Sequence, residues 1–229
     1  MFGINYTDGL AYRSASEVNS AMIRVYNHMM LAIVNSMFVS FLISTSPLLI
    51  AAIFGTPLKW VVMFAPLIMI FAYSYLAENI SKSGAITFLH AFAAVMGVSM
   101  SAIFVVYTGA SIMMAFFSAA ILFATMSIYG YFTKRSLESL GQFMMIGLIT
   151  ICIASIVNIF VGSSLMTTVI SAIAIIIFLG LTAYDTQKIR EMISYDNSSV
   201  SEVTGALTLY LDFINIFLNL LHLFGSKNE

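Results

Sequence analysis

The sequence of 229 residues is 61% hydrophobic and only 8% charged, and its formal net charge at pH 7 is −1. Soluble domains carry about 25% charged residues, so this composition indicates an integral membrane protein. The near-neutral charge and the scattered Lys and Arg residues exclude a nucleic-acid partner, and no Cys or His cluster has the spacing of a metal or cofactor site.

Seven apolar stretches are each long enough, at about 20 residues, to cross a membrane as a helix. They predict one all-α domain over residues 28–224, after an N-terminal segment 1–27 and before a tail, 225–229, that is too short to fold on its own. The predicted spans cover residues 28–49, 60–77, 85–107, 112–132, 143–161, 165–185 and 205–224.

The cations are distributed unevenly between the two sides of these spans. Seven lie before the first span or in the loops after the second, fourth and sixth: Arg13, Arg24, Lys82, Lys134, Arg135, Lys188 and Arg190. Only Lys59 and Lys227 lie on the other side. Because Lys and Arg are retained on the cytoplasmic side, we expect a cytoplasmic N-terminus and an external C-terminus.

The seventh span carries a line of small and polar residues at helical spacing. Steps of three and four place them on one face: Gly205, Thr208, Asp212, Asn215, Asn219 and His222. A charged group at hydrocarbon depth costs roughly 2.5 to 3.5 kcal/mol, so Asp212 should face protein or water, and this helix should be central. Thr208, Asn215, Asn219 and His222 are pore-lining candidates. Alternatively, the Asn residues bond neighbouring helices and His222 is interfacial.

A second carboxyl group, Asp185, lies where the sixth span reaches the predicted cytoplasmic side. Asp212 lies about two turns, roughly 10 Å, along the seventh helix from that same side. Consecutive helices tend to be neighbours, so the two carboxyl groups could meet. Repulsion and desolvation would then disfavour double ionisation, and a pair sharing one proton would be a pH switch. The alternatives are an interfacial Asp185 paired with Lys188 or Arg190, and a purely structural Asp212.

Several other polar residues are weaker candidates. His90 lies in a seam of small and polar residues on the third span, which could permit close helix approach. Asn158 and Glu78 are possible secondary polar sites. Ser199 and Glu202 have the spacing of a capping box that would open the seventh helix.

The sequence gives no indication of an enzyme. It contains no G-x-S-x-G element and no glycine-rich phosphate loop. The two aspartates resemble those of presenilin-type intramembrane proteases, yet Asp212 lacks the preceding G-x-G and no Pro-Ala-Leu motif follows it. We therefore expect no catalytic residues and no cofactor.

Four stretches carry a resemblance to the Bax inhibitor-1 family, and most closely to its bacterial inner-membrane branch. They are SIYGYFTKRSL at 127–137, ASIVNIFVGSS at 154–164, GLTAYDTQKIREM at 180–192 and GALTLYLDFINIFLNLL at 205–221. The resemblance implies six helices around a central seventh, and a pH-sensitive calcium leak gated by a di-aspartyl sensor at Asp185 and Asp212. It also implies an arginine latch near the end of the second helix, where this chain has only Lys82 as a possible latch cation.

Three functional hypotheses follow from these observations. The first is a pH-gated leak for calcium or another cation, with Asp185 and Asp212 as a weak, transient calcium site. The second is a non-transporting interaction protein that modulates a membrane-bound protease through residues 1–27. The third is a proton-coupled transporter. Membrane lipid is the remaining expected partner.

Overall fold

The computed structural model describes residues 13–77, 79–195 and 198–228, except for the side chain of Ser199. These residues form helices α1 (Ala15–Ser44), α2 (Pro47–Phe54), α3 (Leu58–Leu76), α4 (Lys82–Met100), α5 (Ile103–Val106), α6 (Gly109–Phe132), α7 (Glu138–Val161), α8 (Ser164–Tyr195) and α9 (Ser199–Phe224). Seven stretches are long and apolar enough to span a membrane: α1, α3, α4 with α5, α6, α7, α8 and α9. The predicted all-α fold with seven spans is confirmed.

The first helix begins earlier than the hydropathy pattern predicts. A capping box starts α1, because the Ser14 hydroxyl accepts from the Glu17 amide while the Glu17 carboxylate accepts from the Ser14 amide at 2.8 Å. Residues 15–27, predicted as part of a polar segment, are therefore the first turns of this helix. Residues 1–12 of that segment lie outside the described residues.

Helix α9 is the centre of the bundle, as predicted. It packs against α1, α4, α6 and α8, and its residues Leu209, Tyr210 and Ile216 are fully buried. The two remaining spans form an outer layer, with α3 against α4 and α7 against α8. A hydrogen bond of 2.8 Å between the hydroxyls of Tyr73 and Thr204 links α3 to α9.

The small-residue seam on α4 allows the close approach that its sequence predicts. A Cβ atom placed on Gly97 would lie 2.5 Å from the Ser36 carbonyl oxygen of α1. A larger residue at this position would push the two backbones apart, so glycine sets their separation.

The two ends of the bundle differ in charge. The end that carries the seven cations Arg13, Arg24, Lys82, Lys134, Arg135, Lys188 and Arg190 is called the cationic end below. At the opposite end, the C-terminal tail pairs with the connection before α6, where Asn228 donates to the Val106 carbonyl at 2.9 Å and the Thr108 amide donates to Ser226 at 3.0 Å. The tail thus supplies hydrogen-bond partners for backbone groups at the junction of α5 and α6.

Candidate functional site

Asp185 and Asp212 meet between α8 and α9, the most extensively packed pair of helices in the described chain. Their carboxyl groups lie close enough to interact by charge and to share a hydrogen bond. Asp212 is 4% exposed, and Asp185 is partly buried. Because ionised carboxylates only accept hydrogen bonds, this contact is a bond only when one of the two groups carries a proton.

The Asp212 carboxyl has few alternatives to Asp185. Among the described residues, no N–H or hydroxyl group donates to its Oδ2 atom, which is fully buried. A buried carboxyl oxygen without a donor is costly, and the cost is greatest when the group is charged. A proton shared with Asp185 therefore removes both the missing hydrogen bond and one of the two charges.

A chain of hydroxyl groups links α1, α6 and α8. Tyr26 of α1 is 2.5 Å from the Ser127 hydroxyl of α6, which is 3.0 Å from the Thr186 hydroxyl of α8. Thr186 is fully buried and follows Asp185 directly in sequence. These hydrogen bonds join α1, α6 and α8 at the level of α8 that carries Asp185.

A glycine fixes the position of α8 against α6 near the pair. A Cβ atom placed on Gly130 would overlap the Ala183 carbonyl group, two residues before Asp185. Since the obstacle is backbone, which cannot rotate away as a side chain can, only glycine allows this separation of the helices.

The interfacial alternative for Asp185 depends on a nearby cation. The charge of Lys188 acts on Asp185, and the Lys188 ammonium lies 5.4 Å from the centre of the Tyr184 ring. No salt bridge within the described residues includes Asp185, whereas its contact with Asp212 is direct. Geometry therefore favours the carboxyl pair over a pair with Lys188.

The predicted pore-lining residues lie on both sides of Asp212 along α9, with Thr208 before it and Asn215, Asn219 and His222 after it. The Asn215 and Asn219 amides donate to the carbonyl groups of Leu211 and Asn215, each at 2.8 Å, and Thr208 donates to Thr204 at 3.2 Å. These bonds stay within α9, and in the part of the chain that the structure describes the three side chains make no hydrogen bond to a neighbouring helix. His222 is exposed at the opposite end of the bundle.

The chain matches the family model described as "Inhibitor of apoptosis-promoting Bax1" over residues 18–229. It belongs to the Bax inhibitor-1 family. It is 36% identical over 213 residues to inner membrane protein YbhL of Escherichia coli K12, covering 90% of this chain and 91% of YbhL. It is 37% identical over 237 residues to the uncharacterized protein RP147 of Rickettsia prowazekii, covering 99% of this chain and 100% of RP147.

The latch that resemblance to the Bax inhibitor-1 family implies is not found at Lys82. This residue is exposed at the start of α4 and takes part in no ion pair within the described range. Glu78, the other candidate in this region, lies outside the described residues.

The remaining secondary sites have structural contacts in this Bax inhibitor-1 protein. The His90 carbonyl accepts a hydrogen bond of 2.8 Å from Asn35 of α1. The Asn158 amide joins α7 to α8, because it donates to Thr167 at 2.8 Å and accepts from the Ser163 amide at 3.1 Å.

One charged cluster was not predicted from the sequence. Glu202 of α9 accepts two hydrogen bonds from Arg24 of α1, at 2.7 and 2.8 Å, and a longer one from Arg13 at 3.4 Å. The capping-box prediction is wrong because Ser199 is the first residue of α9 and Ser198 is its N-cap, with a hydroxyl that accepts from the Ser201 amide at 3.2 Å. The arginines of this Bax inhibitor-1 protein thus bind a glutamate at the start of α9, roughly 15 Å along the helix from Asp212.

Proposed function

We propose that this protein is a pH-sensitive cation leak, with calcium as its principal ion, gated by Asp185 and Asp212. One observation carries the proposal. Two carboxyl groups are in contact inside the bundle, where α8 packs against the central helix α9. Ionisable groups within a membrane bundle characteristically mark ion pathways or proton relays.

In the closed state, one shared proton joins α8 to α9. Loss of this proton leaves two like charges in contact. Two unit charges 4 Å apart repel by about 4 kcal/mol at an effective dielectric constant of 20. Since 1.4 kcal/mol is a tenfold change in an equilibrium constant, this repulsion shifts the balance between closed and open states by roughly a thousandfold. The leak is therefore closed at low pH and opens as the pH rises.

The oxygen ligands that Asp185 and Asp212 offer are suited to let a cation pass rather than to hold it tightly. Calcium takes six to eight oxygen ligands, and the pair supplies two carboxylates. Within the described residues, no group of three or more His, Cys, Asp or Glu side chains could hold a metal ion. A site that binds weakly also releases its ion, which conduction requires.

We place the protein in the bacterial inner membrane, with the cationic end in the cytoplasm. The name of the relative, inner membrane protein YbhL, supports the location in the inner membrane. The distribution of the cations, seven at one end and two at the other, supports the orientation. The carboxyl pair then lies in the cytoplasmic half and senses cytoplasmic pH.

Calcium flux into proteoliposomes between pH 5 and 8 tests the proposal. Wild-type flux should rise with pH. Asp212→Asn should give low flux at every pH, because the carboxamide cannot ionise and can donate to Asp185. Glu191→Gln is a matched control, since Glu191 is an exposed carboxylate on α8, and it should keep the wild-type profile. A pH dependence that survives in Asp212→Asn would falsify the gate.

Two alternatives give different results with the same samples. A proton-coupled transporter would acidify the vesicle interior only when its substrate is supplied. An interaction protein that modulates a membrane protease would lose its partner on deletion of residues 1–12 while flux stayed at the level of empty vesicles. The deletion stops there because a longer one would remove Arg13 and the start of α1.

A further inference from the structure

An apolar groove separates α1 from α6 on the side of the bundle. Both helices pack against α9, but within the described chain they make little contact with each other. The groove has a volume of about 650 Å³. Met22 and Met29 form part of one wall, Phe116 and Phe123 part of the other, and Phe213 of α9 lies at its base.

The groove opens sideways towards the hydrocarbon of the membrane. Its lining includes Met30, Val34, Ile128 and Phe132, each more than half exposed on the outer surface of the bundle. It extends from Asn19 to Met37 along α1, a length of roughly 27 Å at 1.5 Å per residue. An occupant therefore enters from the bilayer and is long and narrow.

The volume distinguishes between two apolar occupants. A transmembrane helix at least 10 Å wide and of this length occupies roughly 2,000 Å³, about three times the volume of the groove, so most of the helix would lie outside it. A methylene group occupies about as much space as a water molecule, roughly 30 Å³, so an acyl chain of 16 to 18 carbons needs roughly 500 Å³. The flexible methionines of α1 suit a chain with many conformations.

The end of the groove next to the cationic end is polar. The Tyr131 hydroxyl donates to Asn19 at 3.3 Å, which bridges α6 and α1 there. The exposed Arg190 guanidinium lies 4.8 Å from the centre of the Tyr131 ring and donates one hydrogen bond to the Tyr131 carbonyl at 2.7 Å. Arginine has five N–H donors arranged to bind a phosphate, and Lys134 and Arg135 follow α6 in the adjacent loop.

We propose that this groove binds one acyl chain of an anionic phospholipid, whose phosphate group is bound by Arg190. The apolar walls select the chain, and the cation at the mouth selects the headgroup. Neither aspartate lines this groove, although Tyr26 and Ser127 of the hydroxyl chain do, and the proposed binding of lipid does not depend on whether the protein conducts ions.

Native mass spectrometry of the purified protein, titrated with phosphatidylglycerol or phosphatidylethanolamine, tests the proposal. Ala124→Trp fills the groove and should weaken retention of phosphatidylglycerol at least tenfold. Ala72→Trp is the matched control, because Ala72 is exposed on α3 away from the groove, and it should retain wild-type binding. Arg190→Gln should leave the chain bound but lower the preference for phosphatidylglycerol by about fivefold.

If circular dichroism shows that Ala124→Trp is not folded, Ala120→Phe replaces it, because phenylalanine fills the groove with a smaller ring. Equal retention in the filled-groove variant and wild type overturns the proposal. Equal binding of the two lipids by wild type also overturns it, because a fatty acid or detergent chain would then be a sufficient occupant.

Discussion

At the scale of single residues, α9 carries two buried acids in opposite electrostatic surroundings. The Glu202 side chain is 3% exposed and is bound by two arginines, whereas Asp212 faces another acid. A buried carboxylate can stay ionised when paired cations compensate its charge, but two adjacent carboxyls favour a shared proton. Glu202 therefore fastens α9 to α1, while Asp212 is suited to change its charge.

Removing Arg24 should destabilise the protein, because it leaves the Glu202 carboxylate with Arg13 as its only described cation. Breaking a buried pair costs about 3–5 kcal/mol. Since the Arg24 side chain is 48% exposed and Arg13 remains, we expect about 1–3 kcal/mol for Arg24→Ala. Arg24→Lys should lose less, because it keeps the charge but not the two-point contact.

Thermal unfolding in detergent measures these losses, with Glu191→Gln as the control for an exposed carboxylate. Combining Arg24→Ala with Glu202→Gln should cost less than the sum of the two single variants, since the double variant removes both members of the Arg24–Glu202 pair and leaves neither without the other. Additive losses, or an Arg24→Ala melting temperature equal to that of the control, would contradict a direct ion pair.

The carboxyl pair could be predicted from sequence, but the Arg24–Glu202 pair could not. Asp212 lies at regular spacing in a polar seam on an otherwise apolar helix, and its depth restricts where it can point. Arg24 and Glu202 are 178 positions apart, and nothing local connects them. Glu202 also fits the local capping-box pattern, which predicted Ser199 as its partner rather than the arginines.

At the scale of helices, the proposed gate requires α8 and α9 to separate near the cationic end. Gly205 of α9 faces Ile189 of α8 in this region, and a Cβ atom on Gly205 would lie 2.7 Å from the Ile189 Cγ2 atom. The two Cβ positions are thus no more than about 4 Å apart, which is within the range of a disulfide. Replacing both residues by Cys removes the overlap with the isoleucine side chain.

Oxidation of the variant Ile189→Cys/Gly205→Cys should abolish calcium flux from pH 5 to 8, and reduction should restore it. Cys152→Ser must be included, because Cys152 is the sole native cysteine and is exposed. The variant with Gly205→Cys alone controls for the effect of the oxidant. If the oxidised double variant conducts with an unchanged pH profile, α8 and α9 do not separate at this level.

Helix boundaries show where the hydropathy pattern alone was insufficient. The start of α1 lies 13 residues before the predicted span, because the pattern records apolar residues and the first turns of α1 are polar. The local signal was present in the spacing of Ser14 and Glu17. The short helices α2 and α5 were not predicted because each is shorter than a membrane span.

At the scale of the whole molecule, the number of spans and the central helix could be predicted from composition and spacing. The division of the other six spans into inner and outer helices could not. Helix α7 is as apolar as its neighbours, yet only two of its residues, Gly141 and Ile151, are buried. Lipid and protein interior have similar polarity, so hydropathy does not distinguish a helix that faces one from a helix that faces the other.

The orientation proposed for the bundle can be tested with two exposed loop residues. Ser136 lies between α6 and α7 at the cationic end, and Thr56 lies between α2 and α3 at the opposite end. In a Cys152→Ser background, a membrane-impermeant maleimide should label Thr56→Cys in spheroplasts. It should label Ser136→Cys only after permeabilisation, because loops rich in Lys and Arg are retained in the cytoplasm.

The opposite labelling pattern would also mean that the gate responds to the pH on the other side of the membrane. The carboxyl pair would then lie in the outer half of the membrane, and the gate would respond to external rather than cytoplasmic pH. Flux in proteoliposomes sorted by orientation would separate these cases, because only the pH on the side of the cationic end should control the rate. Control by the pH of the other side would contradict both the orientation and the position of the gate.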